Sequence, residues 1–322
     1  MPSLTKRLQL RDYRLILAIH EAGQLALAAE KLALTQPAAS RLLAGIEAAI
    51  GAPLFVRKPK GMTATPVGEI LARNAVNLFN GLEQTMREVD AAGSGRGGTA
   101  RVGAVTGGAV AFVVPAIQRL KQSAIGADIH VDVAPSDVLM AGLQNGDYDF
   151  VLSRIPAGVD ARQFTIQRGR VEIIRFVVRG GHPLCARKTI GLADLAGQEW
   201  VIQAAGTPMR QAVEEAFVAN GVALPGEIVN TTSLLVMIAY LASSNAIAPI
   251  SREVADLIGA GVFGENLAIL DLNEPIIVHP YHLITRRNQV ISPLAGRLRD
   301  LVFAGLAVDA HDPRSMLDGA PA

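Results

Sequence analysis

The stretch Leu34-Thr35-Gln36-Pro37-Ala38-Ala39-Ser40-Arg41-Leu42-Leu43 constrains this chain more than any other segment. Thr35 is a good N-cap, and Pro37 in a first turn costs little because its missing N–H would have no helical partner there. A helix must therefore start at this point. Its apolar positions Ala39, Leu42, Leu43, Ile46 and Ile50 share one face, which leaves Gln36, Pro37, Ser40, Arg41 and Ala44 on the other. A helix that presents small and hydrogen-bonding residues at its N-terminal end can enter a DNA major groove. Gln pairs with adenine and Arg with guanine or phosphate, while Pro37 and Ala38 can touch thymine methyl groups. The alternative for such a face in isolation is plain solvation.

The surroundings favour DNA. A helix over Leu10–His20, with Leu10, Tyr13, Leu17 and His20 on one face, ends at Gly23. An alanine-rich helix from Leu25 to Leu32 follows, as expected where helices cross closely. After the Thr35 helix, Pro53–Arg57 and a segment ending in Met62-Thr63-Ala64-Thr65 read as two strands around the turn Lys58-Pro59-Lys60-Gly61. The result is a hairpin wing carrying Arg57, Lys58 and Lys60 toward the phosphate backbone or minor groove. Charge follows the same division: residues 1–65 hold nine Lys/Arg against four Asp/Glu, whereas the remainder holds 21 against 25. A basic head on a mildly acidic body fits a phosphate-binding module joined to something that does not bind phosphate. The predicted DNA-contacting set is Thr35, Gln36, Pro37, Ala38, Ser40, Arg41, Arg57, Lys58 and Lys60.

From Pro66 to about Ala92 the spacing predicts one long helix with a stripe of Leu71, Ala75, Leu78, Leu82 and Val89, suited to pairing with a second copy. The glycine-rich run Gly93–Gly98 lacks the Lys-Ser/Thr of a phosphate loop and reads as a hinge. Beyond it strands and helices alternate. Strands near Ala100–Val105, Asp128–Val133 and Asp149–Ser153 enclose helices near Val110–Lys121 and Ser136–Asn145, predicting a parallel α/β unit. A second series has strands at Ile173–Arg179, Trp200–Gln203, Ile228–Asn230 and Ala246–Pro249, with helices at Thr207–Asn220 and Ser233–Ser243. Strand Tyr281–Thr285 and helix Ser292–Leu306 complete the pattern. Two such halves imply a cleft between them. The fold class expected is thus α/β multidomain: a winged helix-turn-helix over 1–65, a linker helix over 66–92, a hinge over 93–98 and a two-part domain over 99–308. Within the last, residues 99–160 with 275–308 make one part and 161–274 the other, and the tail 309–322 is expected to be disordered.

Leu25-Ala26-Leu27-Ala28-Ala29-Glu30-Lys31-Leu32 followed by Thr35-Gln36-Pro37-Ala38-Ala39-Ser40 resembles the signature of LysR-type transcriptional regulators. Ile46-Glu47, Gly51, Leu54-Phe55-Val56-Arg57, Thr65-Pro66-Val67-Gly68 and, downstream, His182-Pro183-Leu184 are similar in order and spacing. Gly45 and Ile46 depart from that pattern. The resemblance implies a dimerising linker, two Rossmann-like subdomains like those of periplasmic binding proteins, assembly as a dimer or tetramer, and a small-molecule effector that alters DNA bending. RNA polymerase is an implied partner. The runs Leu8–Arg14 and Ala22–Ala26 are similar to the sugar-responsive galactose-binding-protein regulators of the family, while aromatic acids and other carboxylates remain possible effectors.

In such α/β units ligands bind where strand C-termini meet helix N-termini. Three loops have that location: Thr106-Gly107-Gly108, Pro135-Ser136-Asp137 and Ala205-Gly206-Thr207-Pro208. The candidate effector contacts are Ser136, Thr106 or Gly107, Gly206 and Thr207, with helix capping as their other role. Arg154 either holds a ligand carboxylate or makes a structural salt bridge. No catalytic constellation stands out: His279 and His282 lack the glutamate of HExxH, and no Gly-x-Ser-x-Gly elbow is present. Neither an enzyme nor a metal or cofactor is expected. The lone Cys185 is expected to be a buried or half-buried thiol. No apolar run suits a membrane span or signal peptide, which predicts a cytoplasmic protein. The competing assignment is a solute-binding protein without a transcriptional role.

Overall fold

The computed structural model describes residues 8–59, 61–94, 98–262, 264, 266–287 and 289–308. The chain divides into two compact units, one formed by the residues up to Asp90 with Gln144–Asp147, the other by Ala91–Leu143 and the residues from Tyr148 on.

The first unit is built on α1 (Leu10–Ala22), α2 (Leu25–Lys31) and α3 (Gln36–Ile50), then the hairpin of β1 (Phe55–Lys58) and β2 (Gly61–Ala64), then α4 (Pro66–Ser94). A capping box starts α1, where Gln9 N–H donates to Asp12 Oδ2 at 2.7 Å. The buried face of α1 is Asp12, Leu15, Ile16, Ala18 and Ile19, whereas Leu10 and His20 are exposed. The expected stripe was thus placed on the wrong face of a correctly placed helix. The capping role of Asp12 explains the error, because it takes a polar residue inside. Leu25, Ala28 and Ala29 of α2 and Ala39, Leu43 and Ile46 of α3 complete the core, the three alanines allowing the helices to cross closely. Glu47 Oε1 accepts from Leu54 N–H at 2.7 Å and Phe55 N–H at 3.3 Å, tying the end of α3 to the wing.

The wing is also pinned to the turn between α1 and α2, since Met62 N–H donates to Gly23 O at 2.6 Å. Gly61, at φ +140°, permits this approach: a Cβ there would lie 2.3 Å from Gly23 O. Helix α4 includes Gly93 and Ser94, so the first two residues of the expected hinge continue the helix. Of its predicted stripe, Ala75 is buried and Leu71 half-buried, while Leu78, Leu82 and Val89 are exposed together with Met86.

The second unit begins with β3 (Thr99–Ala104), followed by α5 (Thr106–Gly108), a π-helical turn at Ala109–Val113 and α6 (Val114–Lys121), then β4 (Asp128–Val133), α7 (Ser136–Asn145) and β5 (Phe150–Ser153). Next come β6 (Phe164–Arg179), α8 (Leu192–Leu195), β7 (Trp200–Ile202), α9 (Pro208–Ala219), β8 (Ile228–Asn230) and α10 (Leu234–Ser243). It ends with β9 (Ala248–Ser251), α11 (Arg252–Gly259), β10 (Leu267–Leu270), β11 (Ile276–Arg286) and α12 (Pro293–Val308). Strands β3, β4 and β5 pair in parallel, as expected of one α/β lobe. The sheet as a whole is mixed, because β11 and β6 join it antiparallel in the order β10-β6-β11-β5-β3-β4, with β9 also on β6.

Strand β6 is 16 residues long, whereas the apolar pattern predicts a strand only from Ile173. Its first half, Phe164-Thr165-Ile166-Gln167-Arg168-Gly169-Arg170-Val171-Glu172, is too polar to read as a core strand. It pairs with β11 and carries the chain from one lobe to the other. Helix α11 and strand β10 were not anticipated, and β9 runs two residues past the predicted Pro249 to Ser251. Each lobe has its own core: one around Phe150, Tyr281 and Leu298, the other around Phe176, Trp200 and Phe217, whose rings meet edge-on at 5.5 Å. His182 is buried and braces the 3₁₀ turn after β6, its Nδ1 accepting from Leu184 N–H at 3.1 Å and its Nε2 lying 3.1 Å from Asn245 O. Cys185 lies on that turn and is exposed, contrary to expectation, because the turn presents Leu184 rather than the thiol to the core. Among the described residues no helix is long and apolar enough to cross a membrane.

Candidate functional site

Helix α3 carries the first candidate surface. Thr35 has extended backbone and its Oγ1 accepts from Ala38 N–H at 3.4 Å, which fixes where the helix starts. Gln36, Pro37, Arg41 and Ala44 are exposed, Ala38 and Ser40 partly so, and Ala39, Leu43 and Ile46 face the core. The polar residues are thus held on the outward face by three apolar anchors behind them. Arg57 and Lys58 are exposed on β1, and Lys60 lies outside the described residues. Gly45 also faces open space, so it weakens the helix by about 1 kcal/mol relative to alanine without distorting it.

The second surface is a cleft of about 260 Å3 between the two lobes of the second unit. Thr106, Ser136, Arg154 and Thr207 of the predicted set line it, whereas Gly206 and Gly107 do not. Gly206 is exposed at φ +87° on the turn before α9. Gly107 is buried behind the wall, where a Cβ would stand 2.9 Å from Glu172 Oε1 and 3.0 Å from Ser251 Oγ. Ser136 is buried, and its Oγ accepts from Arg154 N–H at 3.3 Å across the ends of α7 and β5. Thr207 Oγ1 donates to Ala204 O at 2.8 Å, shaping the turn before α9.

Arg154 lines the cleft and makes a salt bridge whose partner is buried rather than exposed. Its Nη2 donates to Glu172 Oε2 at 2.6 Å, its Nε donates to His279 O at 2.6 Å, and its guanidinium lies over the Tyr281 ring. Its side chain is 11% exposed and that of Glu172 5%. The pair therefore neutralises itself within the cleft wall. Glu172, Gln203, Thr232 and Ser251 line the cleft without having been anticipated. Ser251 was within reach of the strand-terminus rule, had β9 not been cut short at Pro249.

A half-buried acid of α11, Glu253, interacts with this pair. Burial pushes the Glu253 carboxyl above the usual carboxylate range, with the Glu172 charge adding to the effect, and its Oε2 has no hydrogen-bond partner among the described residues. A carboxyl raised in the folded state gives up stability as pH climbs above its unfolded value, because folding then buries a charge. Glu253→Gln should accordingly raise the unfolding midpoint at about pH 8 and lose that advantage toward about pH 3, where the parent side chain is largely protonated in both states. Thermal unfolding of both proteins across that range tests the sign.

Sequence comparison matches both parts of the chain to known families. The family model of the bacterial regulatory helix-turn-helix protein, lysR family, matches residues 10–69, and that of the LysR substrate binding domain matches residues 93–307. The chain belongs to the LysR family. As a LysR-type transcriptional regulator it joins a helix-turn-helix DNA-binding module to an effector-binding domain. It is similar to the HTH-type transcriptional regulator GbpR of Rhizobium radiobacter, with 39% identity over 247 residues, covering 76% of this chain and 82% of that protein. GbpR of Azospirillum brasilense is 32% identical over 291 residues, covering 90% and 84%. Full-length CbnR complexed with its target DNA shares the fold at a TM-score of 0.63 and 20% identity, over 92% of this chain and all of that one. In this LysR chain the helix matched as the DNA-binding module therefore includes α3, and the cleft lies within the matched effector-binding domain.

Proposed function

We propose that this regulator reads its operator with the N-terminal half of α3, places the wing on the adjacent backbone, and changes its DNA-bound state when a small molecule enters the cleft. The observation that carries the DNA assignment is the outward display of Gln36, Pro37 and Arg41 on a helix whose start is fixed by the Thr35 cap. Thr35, Ala38 and Ser40 line the same edge, and Arg57, Lys58 and Lys60 supply phosphate contacts. Residues 1–65 form the reader, 66–92 the dimerising linker, 93–98 the joint with the sensor over 99–308.

The exposed Leu78, Leu82, Met86 and Val89 on α4 support pairing with a second copy, because a single helix leaves that apolar row in water. A dimer suits an inverted-repeat operator. RNA polymerase is the partner through which binding acts on transcription, and the cytoplasm is where both are met.

The cleft takes the effector through Thr106, Ser136 and Thr207. A sugar is one effector that the hydroxyls of Thr106, Ser136, Thr207 and Thr232 suit, set in a mostly apolar wall. Ser136→Ala tests this arm: it removes the acceptor for Arg154 N–H, at a cost of about 1 kcal/mol in stability, and should blunt the ligand response while leaving ligand-free DNA affinity unchanged. A full response in the variant would place the effector elsewhere.

A further inference from the structure

The place of the wing relative to α3 depends on an acid that the preceding assignment does not use. Glu47, in the last turn of α3, is half-buried. Its Oε1 accepts from two consecutive backbone groups at the root of the wing, Leu54 N–H at 2.7 Å and Phe55 N–H at 3.3 Å. Arg57 and Lys58, the exposed cations of β1, follow on the same strand, about 7 and 10 Å beyond Phe55 at an extended rise. On the other strand Met62, the register partner of Arg57, donates its N–H to Gly23 O at 2.6 Å. The hairpin is thus held at its root by the end of α3 and opposite Arg57 by the turn between α1 and α2.

We propose that Glu47 is a positioning residue for DNA binding, its carboxylate fixing the spacing between Arg41 on α3 and the two wing cations so that base edges and phosphates are met in one register. The proposal rests on the reading of α3 and the wing as the DNA interface. Arg41 and Glu47 lie on one helix, about 9 Å apart along its axis, so a rigid element joins the base-reading side chain to the tether. A carboxylate accepting two backbone N–H groups is a charge-assisted tether, stronger than a neutral one.

Charge and position act in opposite directions here, which makes the role measurable. Residues 1–65 carry nine Lys/Arg against four Asp/Glu, and each acid in a module that binds a polyanion lowers its affinity. Removing the charge alone should therefore strengthen DNA binding. Releasing the wing should weaken it, because a cation that must be ordered on binding contributes less than one already in place. Leu54 and Phe55 are buried in the core of this unit, which keeps the hairpin attached when the tether is cut.

Two substitutions separate reach from charge. Glu47→Gln keeps the length and one acceptor oxygen but loses the charge, whereas Glu47→Asp keeps the charge and is one methylene too short for the two N–H groups. The test is electrophoretic mobility shift of the full chain at several salt concentrations, on DNA flanking its own gene and on unrelated DNA of equal length. Glu47→Gln should bind as tightly as the parent or more tightly. Glu47→Asp should weaken both DNAs alike and flatten the slope of log affinity against log salt by about one to two units, the loss of one or both wing contacts. Its preference for the gene-flanking DNA should persist, since Arg41 is untouched. In an Arg57→Ala/Lys58→Ala background Glu47→Asp should have no further effect, because no wing cation is left to position.

Weaker binding in Glu47→Gln than in Glu47→Asp, or an equal loss from Glu47→Asp with and without the wing cations, would overturn the proposal. So would a lowered melting temperature in Glu47→Asp with the salt slope unchanged, which marks a structural role alone. A parental salt slope in Arg57→Ala/Lys58→Ala itself would reject the wing as a phosphate contact, and with it the reading on which the proposal rests.

Discussion

Replacing Gly68 by alanine should unfold the DNA-binding unit selectively. A Cβ at this position, in the first turn of α4, would lie 2.1 Å from Leu54 O and 3.1 Å from Leu54 C. The obstacle is backbone, and it cannot rotate away, because the same carbonyl accepts from Thr65 N–H at 2.8 Å. Gly68 N–H in turn donates to Thr65 Oγ1 at 3.1 Å, and Thr65 Oγ1 donates to Pro53 O at 2.8 Å. One methyl group must therefore displace the root of the wing or the start of α4, at a cost of about 3 kcal/mol or more. Hydrogen exchange should show lost protection across α1 to β2. Trp200, the single tryptophan, is fully buried in the sensing unit, and its fluorescence transition should stay where it was. Gly45→Ala is the matched control: it faces open space on α3 and should be neutral or stabilising by up to about 1 kcal/mol. Unchanged protection in Gly68→Ala would contradict the packing described here.

Arg41→Ala should lower operator affinity about ten- to hundredfold with no loss of folded stability. Arg41 is exposed beside Gln36 and Pro37, so its removal opens no cavity. A bidentate arginine–guanine contact is worth about 1–3 kcal/mol, which sets the range. The pattern of the loss matters as much as its size. If Arg41 reads a base, discrimination between operator and unrelated DNA falls with the affinity. Arg57→Ala and Lys58→Ala, acting on phosphates, should weaken all DNA alike and flatten the salt dependence by about one unit of slope each. Electrophoretic mobility shifts at several salt concentrations distinguish these outcomes, and unaltered operator affinity in Arg41→Ala would remove that residue from the interface.

The helix-turn-helix was legible in the sequence because every local signal there agrees. The Thr35 cap, Pro37 in the first turn, the alanines at the crossing of α2 and α3, and the glycine after each of α1 and α3 all point to the same boundaries. The cleft was legible only in part. Thr106, Ser136 and Thr207 stand at strand-to-helix junctions and were found from that position alone. Glu172 sits inside β6, whose polar first half resembles a loop until its pairing with β11 is known. Gly107 stands against Ser251 and Glu172, a proximity that no spacing along the chain reveals. Arg154 stands out in the sequence, but the carboxylate that pairs with it does not, because Glu172 lies 18 residues on within the polar half of β6.

The central claim is that ligand occupancy of the cleft is read out on DNA held by α3 and the wing. A DNase footprint of the full chain on DNA flanking its own gene, with and without neutral sugars and aromatic acids, tests it most directly. The account predicts protection of an inverted repeat whose flank changes when a neutral sugar is added, with both signals lost in Arg41→Ala and only the ligand-dependent change lost in Ser136→Ala. Protection that ignores every ligand, or no protection at moderate salt, would contradict it.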